Sequence, residues 1–398
     1  MSTAMDRAPG PASVPSAAPA SPGAGGHGPE SADVLARSLH EDETDVDVAS
    51  QWRLVWWRFR RHKVAVASAV VVAALYAIAL FAPFLAPFSG DRQDGEYTYA
   101  PPQPLRVSAE GLYVLGYQAE RDPESLALVY EVDETQRIPV RLFDRGEPYE
   151  LFGIVPTDIH LIGPVDDTRP MYLLGTNDNG EDLFSRIILG SQVSLSIGLV
   201  GVAVSLVLGI IIGGVSGYFG GVIDTVIQRV IEFLMSIPSI PLWMGLAAAV
   251  PRDWGPLERY FAITVLLSVI GWTSLARVVR GRFLSLREED FVLAARLDGS
   301  SQARVIFRHI LPSFTSHVIA SVTLAIPAMI LGETALSFLG LGLQAPVVSW
   351  GVLLQEAQNV RALQTAPWLL ASGAAVFVSV LALNFLGDGL RDAADPYG

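Results

Sequence analysis

The residues best equipped for chemistry lie in two places. Asn177-Asp178-Asn179-Gly180-Glu181-Asp182 packs oxygen donors into a short run, the kind of segment that can hold a hard cation such as calcium. It lacks the alternate-position spacing of a calcium loop, and no bidentate Glu follows at the required distance. It reads as a polar turn before an apolar stretch. The second group is Glu232, His317, Glu333 and Asn384, each set in a largely apolar segment. Polar and ionisable groups in lipid are costly, so they mark pathways, pairs or interhelical hydrogen bonds. His317 and Glu333 fall about four turns apart on one helix, too far to pair. The absence of cysteine excludes disulfides, thiolate metal sites and Cys nucleophiles. The single lysine, Lys63, follows Arg61-His62, so no GxxxxGK[ST] phosphate cradle exists. Neither HExxH nor GxSxG occurs. The expectation is a chain without a catalytic, cofactor-binding or metal site of its own.

The elements that must carry these residues are mostly apolar helices. Half of the chain is hydrophobic (51%), 17% is charged, and the mean hydropathy is +0.40. That places it in the membrane class. Residues 1–48 are rich in Ala, Pro, Ser and Gly, then acidic, and predict a disordered tail. Residues 49–88 combine a basic, aromatic segment (WRLVWWRFRRHK) with an uncharged run long enough to cross a bilayer. Residues 89–186 predict a β-rich insert, with strands at GLYVLGYQ, SLALVYEV, IPVRLF, YELFGI and IHLIG. Its first part, 89–182, holds 19 acids against 7 arginines. Residues 187–390 predict spans two to six, near 194–217, 232–250, 260–276, 313–336 and 367–386, with Pro238 and Pro241 kinking the third. Gly209, Gly213 and Gly217 lie four apart, on one face suited to close helix packing. The arginine-rich loop 277–312 is expected inside by the positive-inside rule, as are both termini and the tail 391–398. The fold class expected is an all-α polytopic membrane protein of six spans, with an external β-rich insert between spans one and two.

Loop 277–312 contains FVLAARLDGSSQARVIFRHILP, two short helices broken at Asp298-Gly299, where Gly supplies a left-handed stop and Ser300 or Ser301 the next cap. Its pattern of Ala294, Ala295, Gly299, Ile310, Leu311 and Pro312 resembles the EAA loop of ABC-importer permeases. Leu293 stands where that pattern begins with Glu. LLGTNDNGEDLFSRIILG, SGYFGGVIDTVIQRVIEFLMSIPS, LSFLGLGL, VSWGVLL and NFLGDGLRDAADP are similar to the C-type permeases of dipeptide and oligopeptide importers, although Glu181 replaces the usual Arg of one triplet. The resemblance implies six helices of the importer-permease type and a coupling role for Leu293, Ala294, Ala295, Asp298, Gly299, Ile310, Leu311 and Pro312. Implied too are a homologous B-type permease, two ATP-binding subunits that use ATP and Mg, an external solute-binding protein, membrane lipid around the bundle, and a bacterial cytoplasmic-membrane location without nucleic acid. Peptides are the implied cargo, with oligosaccharides, nickel chelates or other solutes as alternatives. An ion-coupled secondary transporter or a membrane enzyme is the competing class; the spans offer few central charges for the first and no paired catalytic groups for the second.

Overall fold

The computed structural model describes residues 51–121, 123, 128–166, 168–169, 171–251 and 253–394. The expected disordered tail 1–48 and residues 395–398 lie outside the described residues. Two units are distinguished, 1–54 and 55–398. Of the first, the described residues are the opening turn of α1 (Gln51–Arg61). All further description concerns the second.

After α1 the chain forms α2 (Lys63–Leu80) and the short α3 (Ala82–Leu85). The His62 side chain caps α2 by accepting from the Ala65 N–H. A four-stranded antiparallel sheet follows in sequence order: β1 (Arg106–Ser108), β2 (Gly111–Arg121), β3 (Leu128–Leu151) and β4 (Val155–Pro164). Three of the expected strand segments fuse here. The described end of SLALVYEV, then IPVRLF and the start of YELFGI, form the single 24-residue β3. Its first half pairs with β2 and its second with β4. Register shifts near Gly116 and between Arg145 and Tyr149 absorb the accumulated twist without ending the strand. Phe88, Val114, Ile138, Val140 and Met171 form the core under this sheet.

The helical body comprises α4 (Leu183–Phe219), α5 (Gly221–Ser236), α6 (Ser239–Ala247), α7 (Pro256–Leu286), α8 (Asp290–Leu297), α9 (Thr315–Phe338), α10 (Trp350–Glu356), α11 (Val360–Thr365) and α12 (Ala371–Ala394), the last led by a 3₁₀ turn over Pro367–Leu370. Among the described residues, five helical segments are long and apolar enough to cross a membrane: α2, α4, α7, α9 and Pro367–Ala394. The sixth expected span, near 232–250, is not one helix. The helix opening at Gly221 stops at Ser236, and α6 leaves it at 87°. Pro238 is the cause: it bars helical geometry from the residue before it, and Ile237 is extended at φ −93°, ψ 128°. A break therefore replaces the expected kink, and the spans number five, or six if the bent pair counts as one.

At 37 residues α4 is roughly 55 Å long, well beyond the bilayer's apolar core. Small residues line its buried face. A Cβ on Gly209 would lie 2.9 Å from the Leu275 side chain, on Gly213 2.4 Å from the Ala276 carbonyl oxygen, and on Gly217 2.7 Å from that of Arg280. The three glycines thus let the α4 and α7 backbones meet directly. Gly220 ends α4 at φ 67°, where a side chain would be strained.

Candidate functional site

The hairpin after α7 is built to be rigid. Asp290 sits in the first turn of α8 and Arg296 in the last, each matched to the helix dipole. Gly299, at φ +77°, closes the helix with a paired stop: its N–H donates to the Arg296 carbonyl at 3.0 Å and the Ser300 N–H to the Ala295 carbonyl at 3.1 Å. Ser301, not Ser300, caps the next turn by accepting from the Arg304 N–H. The second helix departs from the expected α geometry. One α turn (Gln302–Arg304) passes into a π turn over Val305–Ile310, with the Leu311 N–H donating to the Ile306 carbonyl. Pro312 lacks an N–H and its ring would crowd the Arg308 carbonyl, so the chain widens just before it. Phe314, at φ −125°, then separates Pro312 from α9, which begins at Thr315.

The residues expected to couple divide by face. Ala295 and Ile310 point inward, joining Val279, Phe283, Val292, Val305, Phe314 and Val318 in one apolar cluster. Ala295 therefore packs α8 against its own chain. Leu293, Ala294, Asp298, Gly299 and Pro312 are exposed, and Leu311 is half-buried. Sequence reasoning passed over Phe291, Leu297 and Phe307, which share the exposed surface; Leu297 is 88% exposed and Phe307 63%. The available signal was the four-residue spacing of Leu293 and Leu297 on the side of α8 opposite Val292 and Ala295.

The same hairpin is fastened to the corner between α4 and α5. The Arg296 guanidinium lies 5.2 Å from the Tyr218 ring centre. Arg287 donates to the Gly217 carbonyl at 3.5 Å. Arg280 grips both Asp224 oxygens at 2.5 Å, and Ser216 donates to Asp224 as well. The Arg296–Tyr218 contact joins α8 to this corner, and Arg280 and Arg287 join the end of α7 to it.

At the other end of α4, the Asn177–Asp182 turn has become part of a buried ionic knot. Arg186 bonds Glu356 in bidentate fashion, both contacts at 2.8 Å, and Glu181 at 2.6 Å. Asn177 donates to Glu181 at 2.7 Å and to Glu356 at 3.0 Å, and Gln93 donates to Glu181 at 3.1 Å. Asp182 caps α4 through the Ser185 N–H and hydroxyl. Burial pushes the Asp182 carboxyl up to about 6, against the lowering effect of those Ser185 bonds. Among the described residues no cluster of metal-ligating side chains is present.

The intramembrane polar residues stay apart from a shared site. Glu333 is fully buried and accepts from Ser349 at 2.8 Å, Ser337 at 2.9 Å and Ser194 at 3.4 Å. Those hydroxyls in turn accept from the Val352, Leu343 and Trp350 N–H groups, so Glu333 organises the connection between α9 and α10. Glu232 is exposed and paired with Arg229. Asn384 donates to the Val380 carbonyl on its own helix, and His317 is half-buried.

The model of the binding-protein-dependent transport system inner membrane component matches residues 205–397, and the N-terminal transmembrane domain of oligopeptide transport permease C matches 50–102. Oligopeptide transport system permease protein OppC of Escherichia coli (strain K12) is 38% identical over 246 residues, 62% of this chain and 79% of that one. The chain belongs to this permease family. Similar too are dipeptide transport system permease protein DppC of Alkalihalophilus pseudofirmus, 37% identical over 56% of this chain and 71% of that one, and a putative peptide transport system permease protein of Brucella suis, 40% identical over 56% and 73%. A chain of the inward-facing MetNI methionine ABC transporter has 16% identity and a TM-score of 0.42 over 54% of this chain and 98% of that one. As a family member the chain is a multi-pass membrane subunit of an ABC importer, a class that works with ATPase and binding-protein partners. The sheet of β1 to β4 falls between the two matched segments.

Proposed function

We propose that this permease forms half of the translocation pathway of a peptide importer and receives the motion of an ATPase through the exposed face of α8. The observation that carries this reading is the hairpin itself. One face of α8 is locked into the bundle by Val292 and Ala295, while the other offers Phe291, Leu293, Ala294 and Leu297 to a partner. Leu293 in place of a glutamate makes that contact apolar. The complex would contain a B-type permease, two ATP-binding subunits using ATP and Mg, and a solute-binding protein. The arginine-rich loop, α8 and both termini would face the cytoplasm, with the sheet outside, where it helps to dock the binding protein. ATP-driven closure of the motors would pull α8 and the α4–α5 corner together, and the bundle would alternate its access. No catalytic, cofactor or metal site is assigned to this chain.

Peptide cargo is supported by the relatives named above. Purification of the tagged full chain from its native membrane should bring down a second permease and an ATPase; recovery without any ATPase would overturn the reading. Uptake of labelled peptides should fail in cells lacking the chain. Loss of oligosaccharide or nickel-chelate uptake, with peptide uptake intact, would reassign the cargo.

A further inference from the structure

The turn between β3 and β4 exposes apolar side chains, and it lies against the end of the first spanning helix. Its sequence is Leu151-Phe152-Gly153-Ile154-Val155. Ile154 is 80% exposed and Phe152 is 49% exposed. A tight turn in water favours Gly, Asn or Asp where φ is positive. Here Phe152 itself adopts φ +57°, a left-handed conformation that is unfavourable for a bulky side chain. The local geometry is disfavoured, and the ring it displays is apolar.

The position of that ring sets its surroundings. Phe152 meets Phe81 edge-to-face at 5.6 Å between ring centres. Phe81 directly follows α2, the spanning helix that buries least of itself within this chain. Phe143, also at positive φ and 64% exposed, meets Phe84 of α3 in a tilted arrangement at 6.1 Å. Two apolar points of the sheet therefore sit beside the C-terminal end of α2. Between the turn, α2 and α4 runs an open groove of about 590 Å³, with Ala79, Leu80, Leu195 and Leu199 among its apolar lining. Glu150, at the base of the turn, lines the same groove.

We infer that the β3–β4 turn is a membrane finger, with Phe152 and Ile154 inserted among the acyl chains of the leaflet nearest the insert. The occupant is lipid because the turn continues the exposed apolar surface at the end of α2, formed by Leu80 and by Phe81 just beyond it. The finger fixes the height and tilt of the sheet over the bundle. This holds whatever the cargo is and whichever ATPase binds.

The chain has no cysteine, so a nitroxide on Ile154→Cys reports one position. The full chain, with the subunits that purify with it, would be reconstituted in phosphatidylethanolamine–phosphatidylglycerol vesicles. Glu131→Cys, exposed near the start of β3, supplies the aqueous reference. At 154, collisions with a water-soluble nickel chelate should be lost while collisions with oxygen persist; at 131 nickel collisions should be frequent and the ratio of oxygen to nickel collisions low. Phe152→Cys should repeat the pattern if the first label perturbs the turn. Nickel access at 154 and 152 equal to that at 131 would overturn the inference. So would shielding from both reagents, which would mean that a protein partner covers the turn.

Discussion

Gly299 and Asp182 show how single residues fix this chain's behaviour. Nothing lies within 4 Å of a Cβ built on Gly299, so space is not its constraint; the backbone at φ +77° is. Gly299→Val should cost about 1–2 kcal/mol of local strain and loosen the stop that sets the angle of α8. The expected outcome is ATP hydrolysis that no longer drives uptake, with the bundle still folded. Gly299→Asn, which tolerates the left-handed region, should retain most transport. Equal transport by both variants and the parent would count against the rigid hairpin. Asp182 gives a pH signature. Its carboxyl titrates near 6 in the fold and near 3.8 when unperturbed. The folded chain therefore holds more proton than the unfolded one between those values, and stability falls as pH rises through that window. Asp182→Asn keeps the capping oxygen and removes the titration. Its melting temperature should be flatter from pH 4 to pH 6 and at least as high as the parent's at pH 7, with a gain of no more than about 3 kcal/mol. An unchanged pH profile would show that Asp182 is not the group responsible.

At the scale of elements, two contacts hold the bundle. Gly213 lets α4 reach the α7 backbone, and the Ala276 carbonyl cannot retreat from an added methyl. Gly213→Ala should lower stability by about 1–3 kcal/mol. Gly281→Ala on α7, where a Cβ meets nothing, should be neutral or slightly stabilising. Thermal unfolding in detergent separates the two. The Arg186–Glu356 pair ties α4 to α10 in a nearly dry site. Arg186→Ala would leave Glu181 buried and Glu356 half-buried without their cation, at a cost of about 3–5 kcal/mol. Glycines four apart, the Gly299 stop and the apolar spans were all legible in the sequence, because each is a local pattern. The Arg186–Glu356 contact was not, since its partners lie 170 positions apart and neither carries a local signal. The inward turn of Ala295 was also hidden. Both faces of α8 are apolar, so periodicity could not say which one docks. The length of β3 was not legible because the polar stretch Asp133–Gln136 separates two apolar runs; the strand continues through it by a register shift against β2.

For the whole molecule, the two ends of α4 matter most. One is pinned to α10 by Arg186, Glu181 and Glu356, and the other to α5, α7 and α8 through Tyr218, Gly217 and the Asp224–Arg280 pair. On the proposed reading, movement of α8 by a motor would pass along α4 to its other end. The most direct measurement of this account uses the chain's lack of cysteine. Leu297→Cys, placed at the most exposed large apolar side chain of α8, is treated in native membranes with a short bifunctional thiol- and amine-reactive crosslinker. The account predicts an adduct between this chain and an ATPase subunit, with a yield that changes when nucleotide is bound. No such adduct from position 297 or 293, in membranes where the ATPase co-purifies with the chain, would contradict it.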